Sequence, residues 1–184
     1  MTDDRFQACL PFVLAQECPH PEDWSNPHNF SNDAHDPGGE TMCGIIQREY
    51  SIYRKNNGLP VRDVRQMTQE EGEEIYEANY WQPECPKLPA GLDLCFFDEA
   101  VNAGPLAATK ILQKALSISA DGLWGPQTDL AVKGIFNLRH VITFYKTYRE
   151  SYYRALKGFQ YFGKGWISRA EIIAVEALKM AEQQ

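Results

Sequence analysis

The chain has 184 residues, 43% apolar and 12% aromatic, with a net charge of −7 and a pI near 5.1. That content fills the core of one domain or two small ones and excludes an intrinsically disordered chain. The acidic balance excludes nucleic acid as the main ligand, and a polybasic grip on an anionic membrane, because both need clustered Lys and Arg.

The start, Met1-Thr2-Asp3-Asp4-Arg5, is acidic and no long apolar core follows it, which makes a poor secretory signal. No run of about 18 apolar residues occurs further on, so no membrane insertion is expected. Residues 5–17 read as a first helix, with Phe6, Leu10, Val13 and Glu17 on one face. Pro11 requires that this helix either begin near it or kink there. Residues 18–40 are rich in Pro, Asp and His and contain Gly38-Gly39, the composition of a loop, with room for a small β-hairpin between Ser31 and Thr41.

Helix is expected from Thr41 to Lys55, stopped by Asn56-Asn57-Gly58. Thr68-Gln69-Glu70-Glu71 is a capping box that opens a helix running to about Tyr80. Pro83 to Pro89 interrupts. Further helices are expected over 91–103, ending at Gly104-Pro105, and over 106–117. Asp121-Gly122-Leu123-Trp124-Gly125-Pro126 is a turn, and Pro126 suits the first position of a long Tyr-rich helical region reaching Lys157. Phe159 to Gly165 reads as a loop and Trp166 to Met180 as a terminal helix. The expected fold class is mainly α with one small hairpin.

Five cysteines, Cys9, Cys18, Cys43, Cys85 and Cys95, form no CxxC pair. They read as mostly reduced, partly buried thiols, with a bridge formed after release as the lesser alternative. His20, His28 and His35 with Cys18 and Cys43 match no established zinc spacing, so no metal and no other cofactor is expected.

Several segments resemble one known family. Val13-Leu14-Ala15-Gln16-Glu17, then Phe30 to Thr41 with Asp36-Pro37-Gly38-Gly39-Glu40-Thr41, then Gly44-Ile45, are similar to the N-terminal signature of glycoside hydrolase family 108. These are lysozyme-like muramidases of phages, prophages and bacterial secretion loci. Ile75-Tyr76, Tyr80-Trp81, Phe97-Asp98 and Val101-Asn102-Ala103-Gly104-Pro105 continue the likeness. Leu112-Gln113, Asp121 to Thr128 and Gly165-Trp166-Ile167-Ser168-Arg169 resemble the peptidoglycan-binding module that accompanies the family. There is one departure. The family follows its glutamate with two glycines and an aromatic and places its aspartate closer, whereas here Cys18-Pro19 follow Glu17 and Asp36 lies nineteen residues on. Residues 20–29 look like an insertion.

The resemblance implies a lysozyme-like catalytic region over 1–105 and a peptidoglycan-binding helical region over 106–184, packed into one monomeric body. Cleaving a glycosidic bond needs a proton for the leaving oxygen and a second carboxylate for the oxocarbenium-like carbon or its water. Glu17, at the end of an apolar helix face, suits the first role, since burial favours a neutral carboxyl. Asp36 is the natural second carboxylate, and the Thr41 hydroxyl could hold a water. Asp36 could equally be an Asx-turn residue, and Thr41 a helix N-cap.

Tyr80, Asn102 and Trp124 are expected substrate contacts. Asn102 either meets sugar N-acetyl groups or caps its helix. Trp124 either stacks on a sugar or packs under the helix opened by Pro126, with packing favoured. The substrate and partner are then bacterial peptidoglycan, cut at the β-1,4 bond from N-acetylmuramic acid to N-acetylglucosamine. The enzyme would be made in the cytoplasm and act on the wall after release by a holin or a secretion system. Two other readings compete: a non-catalytic wall-binding module that keeps the fold, and a metal or cysteine amidase.

Overall fold

The computed structural model describes residues 4–32 and 39–183. It is mainly α, with one small antiparallel sheet among the described residues, as the sequence indicates. Two compact units are present, one formed by 6–79 and the other by residues 4–5 with 80–183.

The first unit holds α1 (Asp4–Glu17) from Phe6 onward, α2 (Gln47–Asn56) and α3 (Gln69–Tyr76), together with strands β1 (Phe30–Ser31), β2 (Thr41–Met42) and β3 (Ile45–Ile46). α1 is helical from Asp4, so it does not start at Pro11, which sits exposed within it. Phe6, Leu10, Val13 and Leu14 form its buried stripe. The expected hairpin pairs Phe30 with Met42 and Ser31 with Thr41. A third strand follows where helix was expected, with Thr41 opposite Ile46 and Met42 opposite Ile45.

The cause is a two-residue turn. Cys43 (φ 43°) and Gly44 (φ 76°) both adopt left-handed backbone, the pattern of a tight hairpin turn and incompatible with helix. Helix α2 therefore starts only at Gln47, and Thr41 is a strand residue, not its N-cap.

The 20–29 segment is well tied. The buried Asn29 side chain accepts from the His20 N–H at 2.8 Å and donates to the carbonyls of His20 (3.0 Å) and Asp23 (2.8 Å). Trp24 is buried against α3, where a Cβ on Gly72 would come within 2.1 Å of the indole ring.

The capping box of α3 forms as expected, with Thr68 Oγ1 accepting from the Glu71 N–H and Glu71 Oε2 accepting from the Thr68 N–H. The same carboxylate takes Arg54 and Arg62, each at 2.5 Å, and the Tyr50 hydroxyl at 2.8 Å. Burial opposes its charge. The Thr68 N–H, Tyr50 and the two guanidiniums overcome that and hold the Glu71 carboxyl down at about 2. A single π-helical turn, Glu77–Trp81, continues α3 to the region of Tyr80.

The second unit is built on α4 (Leu92–Ala103), whose residues Leu92 to Ala100 are all buried. Around it lie α5 (Pro105–Ala115), α7 (Leu138–Arg154) and α8 (Phe159–Ala181), with α6 (Pro126–Lys133) between α5 and α7 in sequence. Gly91 (φ 90°) lets α8 come close to the start of α4, since a Cβ there would lie 2.2 Å from the Ala177 carbonyl oxygen.

Two helix expectations change. The Tyr-rich region is two helices, because Gly134 ends α6 and the Asn137 side chain caps α7 by accepting from the His140 N–H. Residues 159–165 are helix, not loop. Phe159 folds back onto Gly163, whose missing Cβ leaves room for the ring, and α8 runs unbroken from Phe159.

Two adjacent buried carboxylates of α4, Asp98 and Glu99, share partners in this unit. Asp98 pairs with Arg149 (2.5 Å) and Arg169 (2.9 Å), and Glu99 pairs with Arg149 (2.5 Å) and accepts from the Tyr153 hydroxyl. Burial holds the Glu99 carboxyl above its usual range even against those partners. Removing one member of such a buried network would strand the opposite charge away from water.

Candidate active site

Glu17 is the last residue of α1 and is half-buried. The N–H of Cys18 still bonds to the Leu14 carbonyl at 2.8 Å, so the backbone below Glu17 is held in helical register. A disulfide joins Cys18 to Cys43, with their Cα atoms 4.4 Å apart. This corrects the expectation for these two cysteines. Cys9, Cys85 and Cys95 are buried thiols outside any disulfide, as expected. The bridge also removes Cys18 and Cys43 as thiolate ligands or nucleophiles.

The disulfide sets the Cys43–Gly44 turn against Glu17. A Cβ on Gly44 would lie 3.2 Å from Glu17 Oε2, 3.3 Å from Glu17 Cβ and 2.8 Å from the Tyr76 hydroxyl. Only glycine fits there, for want of space as well as for its positive φ. Tyr76, at the end of α3 and fully buried, donates its hydroxyl proton to the Cys43 carbonyl at 2.8 Å. The Cys43 N–H donates to the Asn29 carbonyl at 3.0 Å. The turn is thus fixed from three sides: by the disulfide, by Tyr76 and by the Asn29 end of the 20–29 segment.

Of the expected catalytic residues, Glu17 rests against this turn, and Thr41 lies on the strand that leads into it. Thr41 lies on β2, two residues before the turn, and its hydroxyl donates to the Gly39 carbonyl at 2.9 Å. Asp36 lies outside the described residues. Tyr76, Gly44 and the Cys18–Cys43 pair were not singled out from the sequence. Two of them, Tyr76 and Gly44, stand inside the segments that carry the family likeness.

The expected substrate contacts belong to the second unit. Asn102, half-buried, donates from its amide to the Tyr153 hydroxyl at 2.8 Å, while the helix end is closed by the Gly104 N–H bonding to the Ala100 carbonyl. Tyr80 sits half-buried in the π-helical turn, and its carbonyl accepts from the Cys85 thiol at 3.8 Å. Trp124 is half-buried, with its ring and that of Phe96 in a T-shaped contact at 5.9 Å, Lys87 Nζ 4.9 Å from its ring centre, and its indole N–H donating to Asp129 at 2.6 Å.

Nearby, the buried Gln113 amide organises the Asp121 to Thr128 turn. It accepts from the Gly122 N–H at 2.8 Å and donates toward Asp121 (2.8 Å), the Leu123 carbonyl (3.0 Å) and Thr128 (3.2 Å). Among the described residues no helix is long and apolar enough to cross a membrane.

Comparison with known proteins matches the glycosyl hydrolase 108 family model over residues 13–104, a span that contains Glu17, the turn and Tyr76. Among solved structures, that of Brucella abortus SagA is similar, at 30% identity and a TM-score of 0.77, covering 96% of this chain and 95% of that one. No curated protein matches. The chain belongs to the glycosyl hydrolase 108 family, on a mainly α, lysozyme-like fold.

Proposed function

We propose that this protein is an N-acetylmuramidase that hydrolyses the β-1,4 bond between N-acetylmuramic acid and N-acetylglucosamine in bacterial peptidoglycan, with Glu17 as the general acid. The observation that carries this reading is the placement of Glu17. Its half-buried carboxyl ends a helix and rests against a turn where a Cβ on Gly44 would crowd it at 3.2 Å and clash with the Tyr76 hydroxyl at 2.8 Å. Family membership supports the reaction class.

In the proposed reaction the Glu17 proton passes to the bridging oxygen as the bond to the sugar carbon breaks. Asp36 supplies the second carboxylate and Thr41 helps hold the attacking water. No metal or cofactor takes part. Asn102, Tyr80 and Trp124 contact the glycan. The catalytic region spans 1–105, and residues 106–184 bind the wall. The enzyme is monomeric and acts on the wall once released by a holin or a secretion system.

The test is digestion of purified peptidoglycan by wild type and Glu17→Gln. A carboxamide keeps the shape and cannot donate the proton, so turnover falls at least ~100-fold with the fold unchanged. New reducing ends are muramic acid. A fully active Glu17→Gln ends the assignment. Binding to peptidoglycan by the wild type with no sugar release identifies a non-catalytic wall-binding module instead. Free amino groups in place of reducing ends identify an amidase.

A further inference from the structure

We propose that the Cys18–Cys43 disulfide is a positioning element for Glu17 and makes the activity of this enzyme depend on oxidation. The inference rests on the reading of Glu17 as the general acid. The observation behind it is local. The bridge starts at the residue directly after Glu17 and ends at the residue directly before Gly44, the glycine that Glu17 rests against.

Cys43 occupies left-handed backbone (φ 43°), which a residue other than Gly, Asn or Asp adopts only when its surroundings impose it. Asn, Asp or Gly would hold such a turn by themselves. Cys43 needs the three restraints found here: the bond to Cys18, the Tyr76 hydroxyl on its carbonyl and its own N–H on the Asn29 carbonyl. Only the first is covalent, and it ties the turn directly to the end of α1. With the bridge open, Cys43 relaxes toward ordinary backbone, and the turn draws away from the Glu17 carboxyl. The acid then loses the wall that sets its position, while the helices remain.

The switch involves two thiols and no other cofactor. Opening takes two electrons and two protons from a dithiol reductant, which becomes a disulfide, and leaves Cys18 and Cys43 as thiols. Closing by a disulfide oxidant reverses each transfer. Cys95 does not compete, because burial pushes its thiol up to about 12, and Cys9 and Cys85 are buried as well. A chain held reduced where thiol reductants dominate is weak there and gains activity in an oxidising compartment.

The experiment compares four samples of the full chain: oxidised, reduced with a dithiol, reoxidised with glutathione disulfide, and the double variant Cys18→Ser with Cys43→Ser. Thiol titration after denaturation defines the states, with three thiols when the bridge is closed, out of the five cysteines present. Release of reducing ends from purified peptidoglycan gives kcat and KM, and circular dichroism reports the helices.

The expected result is a kcat at least ~10-fold lower in the reduced protein and in the double variant, with KM and helical signal unchanged. Reoxidation restores the wild type alone. An equally active reduced protein or double variant overturns the proposal. So does a loss of activity that follows a loss of helix, because the bridge is then a fold staple and not a positioning element. An oxidised wild type that releases no sugar fails the Glu17 reading itself, a separate outcome that takes this proposal with it.

Discussion

Tyr76 reaches across thirty-three residues of sequence to donate its hydroxyl proton to the Cys43 carbonyl, 2.8 Å away and fully buried. This bond links α3 to the turn that faces Glu17, so a residue remote from Glu17 in sequence helps shape its surroundings. Tyr76→Phe keeps the ring and deletes the donor, leaving a buried carbonyl without that partner. The expected cost is about 1–2 kcal/mol of stability, with a lower turnover on peptidoglycan. Chemical denaturation and reducing-end release measure both. Unchanged stability and turnover would show that water replaces the hydroxyl at no loss.

Gly44→Ala places a methyl group 2.8 Å from the Tyr76 hydroxyl and 3.2 Å from Glu17 Oε2, on backbone with φ 76°. Neither Tyr76, held at both ends, nor the turn can give way cheaply. About 2–4 kcal/mol of stability should be lost, from positive-φ strain and overpacking together. Activity should fall more steeply than stability at temperatures where the variant is folded. A variant as active as wild type under those conditions would contradict the crowding.

Glu71 links stability to pH. Its carboxyl is held down at about 2 against a usual value of 4.5, so the folded protein prefers it charged more strongly than the unfolded chain does. That stabilisation is fully present above pH 4.5. It declines as the pH falls and is gone near pH 2. Glu71→Gln should therefore lose about 2 kcal/mol at neutral pH and converge on the wild type at the acid end. Melting curves of both proteins across this range provide the check, and a constant gap at every pH would refute the linkage.

Gln113→Leu removes the side chain that organises the Asp121 to Thr128 turn and strands the buried Gly122 N–H. A loss of about 1–3 kcal/mol is expected, with faster hydrogen exchange at the Gly122 amide. Turnover on short soluble glycan should be unaffected. Wild-type exchange at that amide would show that another acceptor takes over.

Much of the architecture is local and therefore legible in the sequence. The buried stripe of α1, the Thr68–Glu71 capping box and the hairpin between Ser31 and Thr41 each follow from spacing or from residue chemistry over a few positions. The misread stretches have one thing in common: a local signal was overruled by a partner elsewhere or by a nearby cap. Residues 41–46 look helical until Cys43 and Gly44 turn the chain back on itself. Residues 159–165 look like loop because of their glycines, yet Gly163 is the seat of the Phe159 ring. Gly134 and Asn137 break what periodicity reads as one long helix.

The same division holds at the candidate site. The sequence by itself determined the family likeness, the mainly α class and the choice of Glu17, because a helix face and a motif are properties of neighbours along the chain. Only the tertiary structure decided that Cys18 is bonded to Cys43, that Tyr76 holds the turn and that Gly44 faces the carboxyl. Those relationships join positions far apart in sequence. They exist only once packing has brought α1, the hairpin and α3 together, and residue order alone does not say which of five cysteines will come within bonding distance.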